Sequence, residues 1–365
     1  MHHSFTTQEI LQLSYVQGIT SHGLRKIVEH FHTFRALRAA SPRDMATMRL
    51  RAPTLEAMRD AAAYEDHAAR QLALAARHGA RVLSIWEEGY PPLLREIYNP
   101  PAFLFVKGDI TPDDTQAVAI VGTRAMTEYG RRVTEAFARQ FAERAVTVVS
   151  GLARGIDSVA HATTLRHHGR TIAVVASGLD QISPNIARQL ADKICGAGAV
   201  ISEYKMGTKA LPSFFPQRNR IISGVSMGTL VVESAIDGGA MITAGFAIDQ
   251  NRDVFAVPGR TFDPKSAGTN HLIRESRAKL VENTPDVLAD LGIVHAPLRV
   301  SASAPTDLSL FERRVYESLT DEPRHVDDIA ESVTLAPHDV LVNLLMLELK
   351  GLARQTAGKR FMKER

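Results

Sequence analysis

Seven short runs dominate this chain: Ala117–Val121, Val146–Ser150, Thr171–Ala176, Ala199–Ser202, Thr229–Glu233, Val254–Val257 and Lys279–Glu282. Most are apolar or β-branched throughout, with no alternation of polar residues. Between most of them lie amphipathic stretches of helical period, such as Tyr129–Arg144 and Ser158–His168. A strand with no polar face must be buried on both sides, and helices between successive strands supply the cover. The pattern therefore predicts an α/β fold built on a mainly parallel sheet with helices on both faces.

The flanks read differently. From Thr7 to about Arg77 the pattern is all-helical, with breaks at Gly18-Ile19-Thr20-Ser21 and Ser41-Pro42-Arg43-Asp44, and with Ser41 and Thr54 as candidate helix N-caps. Gly18-Ile19 before Leu24, Ile27 and Val28 resembles half of a helix-hairpin-helix unit, which holds phosphate on backbone N–H groups; a plain helical packing module fits the same residues. Residues 294–306, rich in Ala, Ser and Pro, read as a linker. The last segment predicts helices at Leu308–Leu319, Val326–Val333 and Pro337–Lys350, then a hairpin, Leu352–Thr356 with Arg360–Lys363, turning at Ala357-Gly358-Lys359. Three helices and a hairpin make a winged helix. The expected organisation is a helical domain over 1–77, a sheet domain over 78–293, a linker over 294–306 and a winged helix over 307–365.

Composition narrows the function classes. Of 365 residues, 45% are hydrophobic and 23% charged, which excludes a disordered or collagen-like chain. The single cysteine, Cys195, excludes an intrachain disulfide or a Cys-based zinc cluster, and fits a reducing compartment. No apolar stretch reaches the ~20 residues that span a bilayer, and no signal peptide is evident. A soluble cytoplasmic protein with no membrane partner is expected. The net charge of +3 is small. Its distribution says more: residues 150–220 carry nine Lys and Arg against four acids, and residues 350–365 carry six against one.

In an open parallel sheet, ligands bind beyond the carboxyl ends of the strands. Here those ends read Gly122-Thr123-Arg124, Ser150-Gly151-Leu152-Ala153-Arg154-Gly155-Ile156-Asp157, Ser177-Gly178-Leu179-Asp180, Glu203-Tyr204, Glu233 with Gly238-Gly239 further on, and Pro258-Gly259. Small residues let backbone N–H groups converge on an anion, and arginine grips phosphate with paired hydrogen bonds. Gly151-x-x-x-Gly155 has the wrong spacing for a dinucleotide fingerprint, and no Walker motif occurs, so no bound cofactor is expected. Several separate nests suit a string of phosphates. Phe214 and Phe215 beside Arg218-Asn219-Arg220 suit single-stranded nucleic acid, which stacks bases on rings while cations track its backbone. The same residues also allow one Phe to be core and Arg220 to pair with Glu233.

Taken together these residues resemble the DNA-processing protein A family (DprA, also called Smf). The likeness runs from Tyr90-Pro91-Pro92-Leu93-Leu94 through Val121-Gly122-Thr123-Arg124, the Ser150–Asp157 segment with Ala160-His161, and Ser177-Gly178-Leu179-Asp180. It continues through Phe215-Pro216-Gln217-Arg218-Asn219-Arg220, Val257-Pro258-Gly259 and Gly268-Thr269-Asn270. The resemblance implies an extended Rossmann-like core and a non-enzymatic role in natural transformation. It implies binding of incoming single-stranded DNA, its protection, loading of the RecA recombinase, and a homodimer. It places DNA contacts at Gly122, Thr123 and Arg124, and at Lys209, Phe214 or Phe215, Arg218 and Arg220. With the strand-end nests, the candidate DNA-binding set becomes Gly122, Thr123, Arg124, Ser150, Gly151, Arg154, Gly155, Ser177, Gly178, Lys209, Phe214, Phe215, Arg218, Asn219 and Arg220. The sequence departs from the family pattern at Gly238-Gly239-Ala240 and at Arg274-Glu275-Ser276-Arg277-Ala278.

Three other readings compete. Gly228-Thr229 followed by Glu233 resembles part of the motif of nucleotide phosphoribohydrolases, although Ser226-Met227 replaces its Gly-Gly. Asp157 and His161, four apart, share a helix face and so suggest a metal, but a third ligand is missing; a helix-capping Asp157 over a packed His161 suits them better. A duplex-reading winged helix would need a basic recognition helix, whereas Pro337–Lys350 carries Asp339 and Glu348 and only Lys350 as a base. That module reads instead as a protein contact or regulatory domain, with a basic wing and tail (Lys359, Arg360, Lys363, Arg365).

Overall fold

The computed structural model describes residues 4–41, 43, 44, 54, 57, 58, 61–293, 308–320, 322–356 and 358–363. The 294–306 linker, Ala357 of the hairpin turn and Arg365 lie outside the described residues. The chain divides into two compact units, residues 1–300 and 301–365.

In the first unit, helices α1 (Thr7–Leu13), α2 (Ser21–Phe31), α3 (Phe34–Ala39) and α4 (Glu65–Arg77) precede the sheet. Thr20 caps α2, accepting from the Gly23 amide at 3.2 Å. Ser41 and Asp44 exchange bonds as a cap, Asp44 N to Ser41 Oγ at 3.3 Å and Ser41 N to Asp44 Oδ2 at 2.9 Å. The Thr54 hydroxyl donates to the Gln17 carbonyl at 3.1 Å, beside Gly18. These helices share their core with the sheet edge, for Leu11, Ala68 and Ala75 pack with Phe105 and Val200.

The strands are β1 (Ala80–Ser84), β2 (Phe103–Gly108), β3 (Ala117–Val121), β4 (Thr147–Ser150), β5 (Thr171–Val174), β6 (Gly198–Ser202), β7 (Gly228–Val231), β8 (Asp253–Ala256) and β9 (Lys279–Leu280). They form one sheet in the order β1-β2-β6-β5-β4-β3-β7-β8-β9. From β6 to β9 all neighbours are parallel, as the apolar runs predict. The sequence reading missed β1 and β2, which pair antiparallel with each other and with β6. They carry Arg81 and Lys107 within otherwise apolar runs, so they lack the unbroken signature of a doubly covered strand.

The remaining helices are α5 (Pro92–Arg95), α6 (Glu128–Glu143), α7 (Ile156–Arg166), α8 (Asn185–Cys195), α9 (Phe214–Gly224), α10 (Gly239–Asp249), α11 (Ala267–Arg274) and α12 (Thr284–Asp290). Strand side chains alternate between two cores. Val118, Ile120 and Val148 meet Phe137 and Phe141 of α6 and Ala160 of α7 on one face. Ala117, Ala119, Val121 and Val149 meet Ile221 and Ile222 of α9 and Ala244 of α10 on the other. Helix α6 shows why it forms: Thr127 caps it, and Thr134, Phe137, Ala138, Phe141 and Ala142 recur at the helical period as one buried stripe.

This placement sets the topology. The crossovers through α6, α7 and α8 step away from β3 along one face. Those through α9, α10 and α11 return and continue past β7 on the other. The direction reverses between β3 and β7, so the loops leaving these two strands diverge and leave a crevice.

The second unit holds α13 (Leu310–Ser318), β10 (Arg324–His325), α14 (Val326–Val333), α15 (Pro337–Leu349), β11 (Ala353–Thr356) and β12 (Arg360–Lys363), with sheet order β10-β12-β11. It is a winged helix around Val315, Ile329, Leu344, Leu347 and Phe361. Among the described residues no helix is long and apolar enough to cross a membrane. Phe141 is wholly buried between α6 and the sheet; Phe141→Ala should lower stability by about 3–5 kcal/mol, read as a reduced urea midpoint.

Candidate nucleic-acid interface

Two adjacent hollows open at the carboxyl ends of the strands. The first, about 390 Å³, occupies the crevice between β3 and β7. Gly122, Thr123 and Arg124 line one side, Ser234, Gly238 and Gly239 the other, and Arg218, Asn219 and Asp157 also contribute. The second, about 360 Å³, lies over the ends of β4 and β5 and is walled largely by apolar side chains. Arg124, Ala153 and Phe215 belong to both hollows and so form the partition between them.

The loop after β4 builds this partition. Gly155 adopts φ +92°, and a Cβ there would lie 2.4 Å from the Thr123 carbonyl oxygen. Only glycine lets the two loops touch, and they are joined by the Ile156 amide donating to that carbonyl at 3.3 Å. Thr123 in turn donates its amide to the Glu233 carbonyl at 2.8 Å, tying the β3 loop to the β7 loop.

Arg218 lies underneath. It is 4% exposed, and its Nη1 donates to the Gly151 carbonyl at 2.6 Å and to the Val174 carbonyl. Burial pulls its pKa down to about 10, although the nearby Asp157 opposes the shift and Arg124 adds to it. Burial pushes the Asp157 carboxyl up, with Arg218 partly offsetting this. Its Oδ2 accepts the Ala153 amide at 3.3 Å. Asp157 thus stands in the first turn of α7, where Gly155 is the N-cap residue, and its carboxylate ties back the loop. Beneath it, fully buried His161 bonds Thr171 Oγ1 through Nδ1 at 2.7 Å. Thr171 spends its own proton on the Val148 carbonyl, so His161 is the donor. Among the described residues no cluster of three or more His, Cys, Asp or Glu is placed to hold a metal ion.

The structure separates the predicted site residues into surface and support. Arg124, Arg154 and Lys209 are exposed, and Gly122, Thr123 and Phe215 are half-buried. The Arg124 guanidinium sits 5.0 Å from the centroid of the Phe215 ring, and that of Arg218 5.9 Å. Other candidates need correction as direct anion contacts. Ser150 is buried, and its hydroxyl donates to the Ile120 carbonyl at 2.6 Å. Ser177 and Gly178 are buried; the Gly178 amide donates to Thr208 O at 2.8 Å and Ser177 Oγ to Gly178 O at 3.1 Å. Gly151 is packed against Arg218, and a Cβ there would meet its Nη1 at 2.6 Å. Asn219 is 9% exposed and donates to Gly239 O at 3.3 Å.

Arg220 is paired, but with Glu203 and not with Glu233, because it points along α9 toward the end of β6. Phe214 turns from the rim and stacks on Tyr204, with centroids 4.3 Å apart. Glu233 is 1% exposed and accepts from Thr127 through both its amide, at 2.9 Å, and its hydroxyl. Sequence reasoning placed Gly238 and Gly239 on this glycine-rich edge but left them out of the candidate contact set, and the structure makes them lining residues of the first hollow. It also gave Lys205 no structural role: its Nζ lies 3.3 Å from the Tyr15 ring centroid and donates to Ser14 O, joining α1 to the loop after β6.

Fold and rim define a doubly wound α/β protein with a cationic, glycine-lined crevice at the topological switch point. The chain belongs to the DNA processing protein A (DprA/Smf) family: residues 81–292 match the family described as DNA recombination-mediator protein A, and residues 299–359 the DprA winged helix domain. It is 41% identical over 223 residues to DNA processing protein DprA of Bacillus subtilis, covering 61% of this chain and 75% of that one. It is 39% identical over 278 residues to Protein Smf of Escherichia coli, covering 74% of each. The crystal structure of DNA processing protein A from Streptococcus pneumoniae aligns with a TM-score of 0.68 at 34% identity, covering 79% of this chain and 98% of that one. DNA processing protein A from Helicobacter pylori, whose structure concerns a single-stranded DNA binding mode, aligns with a TM-score of 0.54 at 28% identity, covering 60% and 97%.

Burial holds the His161 pKa down to about 3, with Arg218 adding to the effect. The unfolded chain takes up this proton near pH 6.5 and the folded chain does not. Stability from this group is therefore complete above pH 6.5 and is lost progressively as the pH falls toward 3. Urea titrations at pH 7 and pH 4.5 should show a steeper loss for the wild type than for His161→Asn.

Proposed function

We propose that the rim between the two hollows binds single-stranded DNA without sequence preference, and that the protein acts in natural transformation. In this role it protects the incoming strand and hands it to RecA. The observation that carries the reading is the Arg124–Phe215 pair, an exposed guanidinium held against an aromatic ring at the switch point. A ring offers a stacking face to any base, and a guanidinium offers paired donors to phosphate. Gly122 and Thr123 beside Arg124 and Gly238-Gly239 opposite give the backbone close access, while Arg154 and Lys209 extend the charge. Buried Arg218 serves from below: it holds the strand ends together and keeps a positive charge under the first hollow. Arg220, Asn219, Ser150, Gly151, Gly155, Ser177 and Gly178 act as scaffold for this surface.

A binding role also suits Glu233. In a glycosidic hydrolase this carboxylate would have to face the substrate; here both its oxygens are engaged by Thr127 at the start of α6. Self-association is supported by the far edge of the sheet, where Leu280 on β9 and Phe262 in the loop after β8 are exposed. For the winged helix a protein contact is favoured over duplex reading, because Leu341, Val342, Leu345 and Met346 of α15 are exposed where a groove-reading helix would carry bases.

Oligo-dT should bind with an affinity that falls steeply with salt, and duplex of the same length should compete poorly, both read by gel shift. Arg124→Ala should weaken oligo-dT binding about five- to hundredfold, the value of one stacked and charged contact. Arg124→Lys should recover only part, since an ammonium keeps the charge and loses the planar fork. Undiminished binding by Arg124→Ala would remove this site. Incubation with AMP should release no adenine. The protein should sediment as a dimer, and it should speed RecA filament formation on strands already coated by a single-strand-binding protein.

A further inference from the structure

We infer that the second hollow is a base-binding subsite, which takes one unstacked nucleobase of the bound strand on the far side of the Arg124–Phe215 partition from the first hollow. The inference rests on the single-stranded DNA reading of the rim and adds where a base goes. The two hollows share a wall and differ in degree, the second being the more apolar. The first sets Gly122, Thr123, Ser234, Gly238 and Gly239 beside Ile222, Ala240 and Ile242, with Asp157 and a buried guanidinium below. Its small residues and charge suit phosphate and sugar. The second is lined by Leu152, Val175, Ile182 and Leu190, with the Phe215 ring as one wall. Leu152, Val175 and Ile182 are each at most 7% exposed, so this apolar lining is firmly packed from behind.

Polar groups gather with this apolar lining. Arg154, Ser158, Ser177 and Ser183 complete the hollow. An apolar slot with a few polar groups fits a planar heterocycle, which has two π faces and a hydrogen-bonding edge. Its volume of about 360 Å³ falls within the usual range for small-molecule sites. Leu152 reaches the hollow from a left-handed backbone, with φ 57°, at a residue that is not glycine. Strain of this kind persists where the surrounding structure demands the geometry, and it gathers at ligand sites. Phe215 and Arg124 both line this hollow, with the Arg124 guanidinium 5.0 Å from the ring centroid, so a strand held by Arg124 lies beside the slot.

Ala187 lines the hollow from α8 and is only half-buried, so a larger side chain can fill the slot without entering the sheet core. The test compares oligo-dT with an abasic tetrahydrofuran-phosphate strand of equal length, using the full chain and Ala187→Phe. The wild type should prefer oligo-dT by about tenfold, the contribution of one buried base. In Ala187→Phe that preference should fall to about one, with abasic affinity unchanged, which also reports that the variant is folded. An oligo-dT strand carrying one 2-aminopurine should show a fraction protected from acrylamide quenching when bound by the wild type, and that fraction should vanish with Ala187→Phe. Equal wild-type affinity for both strands, a dT preference that survives in Ala187→Phe, or no protected 2-aminopurine fraction would overturn the subsite while leaving strand binding intact. Failure of the wild type to bind either strand would overturn both the subsite and the reading on which it rests.

Discussion

Much of the structure at the switch point depends on one buried guanidinium. Arg218 reaches from α9 under the strand ends, donates to carbonyls at the ends of β4 and β5, faces Asp157 and lies beneath Phe215. A buried positive charge is costly unless every side of it is occupied. Here two strand carbonyls take Nη1, and the Phe215 ring and the nearby Asp157 charge offset part of the cost, while Nε is buried without a hydrogen-bond partner among the described residues. The loops after β4 and β5, the first turn of α7 and the first turns of α9 are thereby held around a single group. Glycine at 151 is required because the guanidinium lies against it.

This arrangement separates the rim's charge into two roles. The buried charge of Arg218 cannot move to follow a ligand, yet it biases the field above it toward anions. The exposed charges of Arg124, Arg154 and Lys209 can adjust to a flexible chain. A fixed positive floor under exposed cationic side chains suits a polyanion whose conformation varies from step to step.

The two units also differ in how their surfaces are spent. In the sheet unit the helices bury their apolar stripes and the polar groups collect at the strand ends. In the winged helix, α15 buries Val340, Leu344 and Leu347 but leaves Leu341, Val342, Leu345 and Met346 in solvent. The fold resembles a duplex reader while its helix chemistry does not, so architecture alone says little about what this unit contacts.

The amino-acid sequence by itself determined the class of fold. Unbroken apolar runs at β3 to β8 can only be buried strands, and the buried stripe of α6 follows directly from the spacing of its residues. It also determined which end of the sheet carries small and cationic residues, because strand direction follows chain direction. The antiparallel pair β1 and β2 was less legible, since local composition carries no sign of the partner strand. Only the tertiary structure decided which arginine faces solvent. Arg124, Arg218 and Arg220 look equivalent in a motif, yet one is exposed, one caps strand ends and one pairs with Glu203. Orientation around a helix and the depth of its packing set that difference, and both depend on residues distant along the chain. For the same reason Ser177 and Gly178 read as an anion nest from their types, while the Thr208 carbonyl, brought in from a later loop, takes the amide that a phosphate would have used.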